Sequence, residues 1–169
     1  MRIFLIGFMG SGKTTVGKTL ARKLDMEFVD TDTIIEDLFK APVNDYFRFL
    51  GEAKFRETER KVLEEVIKHD DIVVSTGGGL PCYNDNVDLM NKTGLTVYLK
   101  LSPSAIHFRL LHSKKKRPLI ENLNYNELKD FIDAKLSERE IYYNKACLIY
   151  PGESLDFNSF INEIRNHIK

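Results

Sequence analysis

Residues Gly7–Thr14 read GFMGSGKT, and this octapeptide decides the architecture. It matches the spacing G-x-x-x-x-G-K-[ST]. Its glycines let several backbone N–H groups turn inward around a phosphate chain. Lys13 can then neutralise the outer phosphates, the Thr14 hydroxyl can ligate magnesium, and a following helix aims its positive N-terminus at the anion. The context fits: the apolar run Ile3–Ile6 precedes it as a strand, and Val16, Leu20 and Leu24 repeat every four residues after it as a helix. Gly10, Ser11, Gly12, Lys13, Thr14 and Thr15 are therefore the candidate contacts to a nucleoside triphosphate, and Thr14 is a candidate magnesium ligand.

Outward from this loop, apolar runs and amphipathic stretches alternate. Ile3–Ile6, Phe28–Val29, Ile72–Val74, Leu95–Leu101 and Cys147–Tyr150 read as strands, and most are continuous rather than alternating, as strands covered on both faces are. Phe55, Val62, Leu63, Val66 and Ile67 make one helical stripe, and Phe157, Phe160, Ile161, Ile164 and Ile168 make another. The alternation implies an α/β fold, a doubly wound parallel sheet. Two stretches break the rhythm: a helical insertion from about Thr31 to His69, and a polar segment around Ser113–Asn126 that reads as a mobile loop.

The 169 residues suit one domain. Lys plus Arg and Asp plus Glu are both 25, and this balance argues against a nucleic-acid surface. The run Lys114–Arg117 lacks interleaved aromatics and does not change that reading. No apolar run approaches the roughly 20 residues of a membrane span. Cys82 and Cys147 form no redox or metal spacing, which suits a reduced, cytoplasmic setting. No long apolar stripe asks for a large interface, so a monomer is expected. The four histidines, His69, His107, His112 and His167, are scattered and suggest surface or loop roles.

A guanine switch would need N-K-x-D after a strand; NKTG at 91–94 lacks the aspartate, and no D-x-x-G occurs. A motor-type ATPase would carry an aspartate at the end of the strand Ile72–Val74, where Ser75 stands. Asp30, closing EFVD, is the replacement candidate for magnesium; it can equally cap the next helix. If strand geometry continues through VDTD, alternation puts Asp30 and Asp32 on one side, one for the metal and one for an acceptor hydroxyl. Asp32 as a cap, or a Thr33–Glu36 capping box, is the competing reading. In FRETE (55–59), Arg56 sits at the edge of the buried stripe and Glu59 can hold it, unless the two form an ordinary surface pair. Gly77–Gly79 end a core strand with no side chains, either for a tight turn or because something must approach the backbone closely.

Taken together, GFMGSGKTT (7–15), DTD (30–32), FRETE (55–59), GGG (77–79), RPL (117–119) and R-x-x-Y (Arg139–Tyr142) resemble the shikimate kinases in order and spacing over nearly the whole chain. The resemblance implies a three-layer P-loop kinase fold whose five-stranded parallel sheet has the order 2-3-1-4-5. It implies a core of residues 1–30, 72–111 and 125–169, a helical substrate-binding insertion at about 31–69 and a lid at about 112–124. It implies ATP and Mg2+, with the γ-phosphoryl passing to the 3-hydroxyl of shikimate. By position, Asp32 would contact shikimate and take its proton, Arg56 and Arg139 would clamp its carboxylate, and Glu59 would support Arg56. Gly77, Gly78 and Gly79 would line the substrate, and Arg117 would close onto the phosphates. Residues 150–154, YPGES, depart from the family's more polar turn beside adenine, and Arg109 is the candidate to stack on the ring. A related kinase for gluconate or a nucleoside monophosphate, and a nucleotide-binding module without catalysis, are the rival readings.

Overall fold

The computed structural model describes residues 1–113, 119–154 and 156–168. β1 (Arg2–Ile6) leads through the phosphate loop into α1 (Lys13–Leu24) and then β2 (Glu27–Asp30). The insertion is α2 (Thr31–Phe39) and α3 (Val43–Val66), after which β3 (Ile72–Ser75) returns to the sheet. A short 3-10 turn at Leu80–Cys82 precedes α4 (Asn86–Thr93), β4 (Leu95–Lys100), α5 (Pro103–Leu111), α6 (Tyr125–Tyr143), β5 (Leu148–Pro151) and α7 (Phe157–Ile168). The five strands are ordered β2-β3-β1-β4-β5 and every neighbouring pair is parallel, which is the expected topology.

Alternation along each strand builds the layers. Ile3, Leu5, Val73, Val97 and Leu99 pack with Leu20 and Ala21 of α1 and Phe160, Ile161 and Ile164 of α7. Phe4, Ile6, Ile72, Val74 and Tyr98 face the other way, onto Phe55, Leu63, Met90, Ile106, Ile132 and Tyr143. Both faces are covered, which explains why the central strands read as unbroken apolar runs.

The structure adds one helix break and corrects two expectations. α3 is not continuous: Gly51 (φ 78, ψ 167) interrupts it, so the buried stripe Phe55–Val66 belongs to the second half alone. A Cβ at Gly51 would meet nothing within 4 Å, so glycine serves the left-handed backbone and not close packing. The polar segment is not all loop: Asn124 caps α6, accepting from the amides of Asn126 and Glu127 at 3.0 Å, while Glu127 accepts from the Asn124 amide at 2.8 Å. α6 then buries Leu128, Ile132 and Leu136 at four-residue spacing. His107 is neither a surface nor a loop residue. It is buried in α5, edge-on to the Tyr125 ring at 4.4 Å, and joins α5 to α6. Both cysteines are free thiols, and no described helix is long and apolar enough to cross a membrane.

Phe160 is fully buried, with its ring 4.6 Å from that of Tyr150. Phe160→Ala should destabilise the fold by about 3–5 kcal/mol, read as a lowered urea midpoint with an unchanged slope.

Candidate active site

The phosphate loop takes its shape from backbone torsions that only glycine adopts easily: φ is 81° at Gly10 and 94° at Gly12, the residue that opens α1. The Lys13 ammonium lies across this loop, 2.8 Å from the Gly7 carbonyl and 3.0 Å from that of Phe8. Ser11 is buried, and Thr14 and Thr15 stand exposed in the first turn of α1. The Thr14 hydroxyl donates to Asp30 Oδ2 at 3.0 Å and sits 3.5 Å from the Ser75 hydroxyl. Two hydroxyls and a carboxylate are hard oxygen donors, the set magnesium prefers. Among the described residues there is no cluster of three His, Cys, Asp or Glu side chains for a metal.

β2 stops at Asp30, so strand alternation does not carry Asp32 to its place. Thr31 opens α2, and Asp30 is the cap, accepting from the Asp32 amide at 3.1 Å. Asp30 therefore both caps the helix and faces Thr14. Neither Asp32 nor Thr33 is the cap, and Glu36 instead accepts from the Val43 amide at 3.1 Å. Asp32 still reaches the site, because the first turn of α2 sets it against the glycine loop.

Residues 77–79 hold the arrangement together. None of the three has a left-handed φ, so turn conformation does not require glycine here. Space does. A Cβ on Gly77 would lie 2.6 Å from Asp32 Oδ1 and 3.1 Å from Glu59 Oε1. On Gly79 it would lie 2.7 Å from Arg56 Nη1. On Gly78 it would come to 3.5 Å from Arg139 Nη1, and equally close to the Gly7 carbonyl of the phosphate loop. The loop thus gathers Asp32, Arg56, Glu59 and Arg139 beside the phosphate cradle.

Arg56 and Glu59 form no ordinary surface pair. Nη1 lies 2.5 Å from Glu59 Oε2, and the side chains are only 14% and 2% exposed. Burial pushes the Glu59 carboxyl up to about 7; Arg56 opposes this and the Asp32 charge adds to it. Arg139 lies with its guanidinium carbon 5.6 Å from the Phe8 ring centroid and makes no ion pair among the described residues.

Several contributors were not singled out in the sequence. Thr31 is fully buried and its hydroxyl accepts from the Gly77 amide at 2.9 Å. The Tyr143 hydroxyl donates to the Gly78 carbonyl at 2.5 Å, so the residue after the R-x-x-Y motif, not Tyr142, reaches the loop. Ser75 completes the oxygen set at Thr14. Tyr83 covers Arg56, its ring centroid 3.9 Å from the guanidinium carbon. Each of these depends on a long-range contact, and local pattern carries no sign of it. Cys82 lies nearby, its thiol pushed up to about 11 by burial. Arg109 donates to the Ser11 carbonyl at 3.1 Å and to that of Gly152 at 3.0 Å, joining the phosphate loop to the turn after β5. Arg117 and its neighbours at 114–118 lie outside the described residues.

A parallel sheet with a phosphate loop at its centre, and a charged cluster beside it, is the architecture of the P-loop kinases. The shikimate kinase family model matches residues 9–169. A shikimate kinase of Azobacteroides pseudotrichonymphae is 45% identical over 164 residues, 96% of each chain. The crystal structure of shikimate kinase from Bacteroides thetaiotaomicron superposes with a TM-score of 0.90 at 42% identity, covering 99% of this chain and 96% of that one. That of the Acinetobacter baumannii enzyme in complex with shikimate gives 0.83 at 31% identity, covering 99% and 92%. The chain belongs to the shikimate kinase family.

Glu59 generates a pH prediction. Its carboxyl titrates near 4.5 when unperturbed and at about 7 in the fold. Between those values the folded state keeps a proton that the unfolded chain has released. This contribution to stability is fully present below about pH 4.5 and is lost as pH rises through 7. It amounts to at most about 3 kcal/mol. Urea unfolding at pH 5 and pH 8 should show wild type losing stability between the two, and Glu59→Gln losing clearly less.

Proposed function

We propose that the chain transfers the γ-phosphoryl group of ATP to the 3-hydroxyl of shikimate, giving shikimate 3-phosphate and ADP. Family membership supports this reading, and the observation that carries it is the gathering of Arg56, Arg139 and Asp32 on Gly77–Gly79, next to the phosphate loop. A guanidinium fork matches a planar carboxylate, and two of them favour an anionic acceptor over a neutral sugar. Neither the Gly78 nor the Gly79 amide donates a hydrogen bond among the described residues, so both are available to acceptor oxygens. In this reading residues 31–69 carry the acceptor, Lys13 and the loop amides hold the phosphate chain, and Arg109 borders the adenine end. Thr14 and Asp30 hold Mg2+, which when bound neutralises charge on the phosphates. Asp32 receives the hydrogen bond of the acceptor hydroxyl and orients it for in-line attack. The same reading takes the chain as a monomeric cytoplasmic enzyme with no nucleic-acid or membrane partner.

A coupled ADP-release assay over shikimate, gluconate and nucleoside monophosphates tests the assignment. Turnover is expected with shikimate; turnover confined to another acceptor, or nucleotide binding with no turnover at all, would overturn it. Lys13→Met should abolish activity with every acceptor. Arg56→Ala or Arg139→Ala should each lose a charge-assisted pair worth roughly 1.5–3 kcal/mol, weakening shikimate binding about 10- to 150-fold. An unchanged affinity in a folded variant would remove that arginine from the clamp.

Gly79→Ala probes the same point from the backbone. The added methyl would press on the end of a flexible side chain, so the fold should survive while the Arg56 guanidinium shifts. Misplacement on the ångström scale should lower kcat/KM on the order of 100-fold, with the thermal midpoint nearly unchanged.

A further inference from the structure

The Arg56 guanidinium is occupied on nearly every side. Gly79 lies against one face and the Tyr83 ring covers Arg56 at 3.9 Å. Nη1 is bound to Glu59 at 2.5 Å, and Nε is buried without a hydrogen-bond partner. The remaining nitrogen, Nη2, points to Glu52 Oε1 at 3.3 Å. That same oxygen accepts from the Tyr83 hydroxyl at 2.5 Å. Glu52, Tyr83 and Arg56 therefore close a ring, and Glu52 stands where one oxygen of an incoming carboxylate would bind.

The two glutamates on Arg56 differ in what they can do. Glu59 is 2% exposed and has no water to move into, whereas Glu52 is 51% exposed. The Glu52–Arg56 contact is long and solvent-screened, a weak kind of ion pair. Glu52 also follows Gly51, whose left-handed backbone starts a new helical stretch with open space around it. The Tyr83 hydrogen bond holds the Glu52 carboxyl below its usual range, so Glu52 is an anion at neutral pH.

We propose that Glu52 is an internal competitor for the acceptor's carboxylate, tethered over Arg56 by the Tyr83 hydroxyl and displaced to solvent when an anionic acceptor binds. This rests on Arg56 receiving that carboxylate. An acceptor carboxylate that takes charge-assisted bonds from Arg56 Nη2 and from Arg139 gains more than the weak pair it removes. A neutral acceptor has no such gain and meets an Nη2 already engaged by Glu52. Glu52 thereby sharpens the preference for acids, as a repulsive element does in other specific sites. Glu52 and Tyr83 are positioning residues, acting on the substrate through Arg56.

The test is the sign of the change. Glu52→Gln keeps the shape of the side chain and removes its charge. It should lower KM for shikimate about two- to fivefold, with kcat little altered, and tighten shikimate binding equally in calorimetry without nucleotide. Tyr83→Phe keeps the ring over Arg56 and cuts the tether. It should move KM the same way, and the double variant should go no further than Glu52→Gln alone. A brace that merely held Arg56 in place would raise KM on either change. If Arg56→Ala weakens shikimate binding while Glu52→Gln leaves it unchanged or weaker, the competitor is wrong and the clamp stands. If Arg56→Ala has no effect on shikimate affinity, the clamp itself fails and takes this proposal with it.

Discussion

An Arg56 guanidinium lying 2.7 Å from the place a Gly79 Cβ would occupy is tolerable only because that carbon is absent, and the same holds for Asp32 at Gly77. Charged groups taken out of water each lose several kcal/mol of hydration, and they persist only when partners come very near. The bare loop allows that approach. Asp32 and Glu59 supply two carboxyl groups around it, and Arg56 and Arg139 supply two guanidiniums. A side chain on Gly77 or Gly79 would push Asp32 or Arg56 out of its present place.

The sheet delivers the loop to the right place. β3 pairs with β1 so that Leu5 stands opposite Ser75, and with β2 so that Asp30 stands opposite Ser75. All three strands run the same way, so the phosphate loop, the glycine loop and the Asp30–Asp32 segment leave the sheet at one edge. Ligands of such sheets bind at the carboxyl ends of the strands for this reason. Thr76 fixes the junction, its amide and its hydroxyl both donating to the Leu5 carbonyl, at 3.2 and 3.1 Å. The reactive ends of donor and acceptor are thus set by backbone register before any side chain is placed.

How much of this was legible in the sequence follows from how far each signal reaches. The phosphate loop and the five strands lie in short windows whose pattern is complete in itself, and they were read correctly to within a residue or two. Glu59 was found because it is three residues from Arg56 on one helix. Strand alternation gave a wrong route to Asp32, since β2 ends at the capping Asp30, two residues short of it. α6 was hidden by a polar exterior, although Asn124 with Glu127, then Leu128, Ile132 and Leu136, spelled its start and its buried face. Tyr143, Tyr83 and Thr31 were invisible for a different reason. Their partners lie 65, 31 and 46 residues away, and only the folded chain brings them together.

The Gly51 break links fold to site in one further way. An unbroken helix from Val43 would carry Glu52 as one more residue in a rigid stack, with its approach to Arg56 dictated by a preceding turn. The break turns the backbone at Gly51, and Glu52 begins the second stretch. Arg56, four residues on, is anchored from the opposite end by Glu59, which the core holds fixed. One arginine is thus gripped by a carboxylate that cannot leave and touched by one that can. The asymmetry arises from backbone torsion and burial, with the two acidic groups chemically identical.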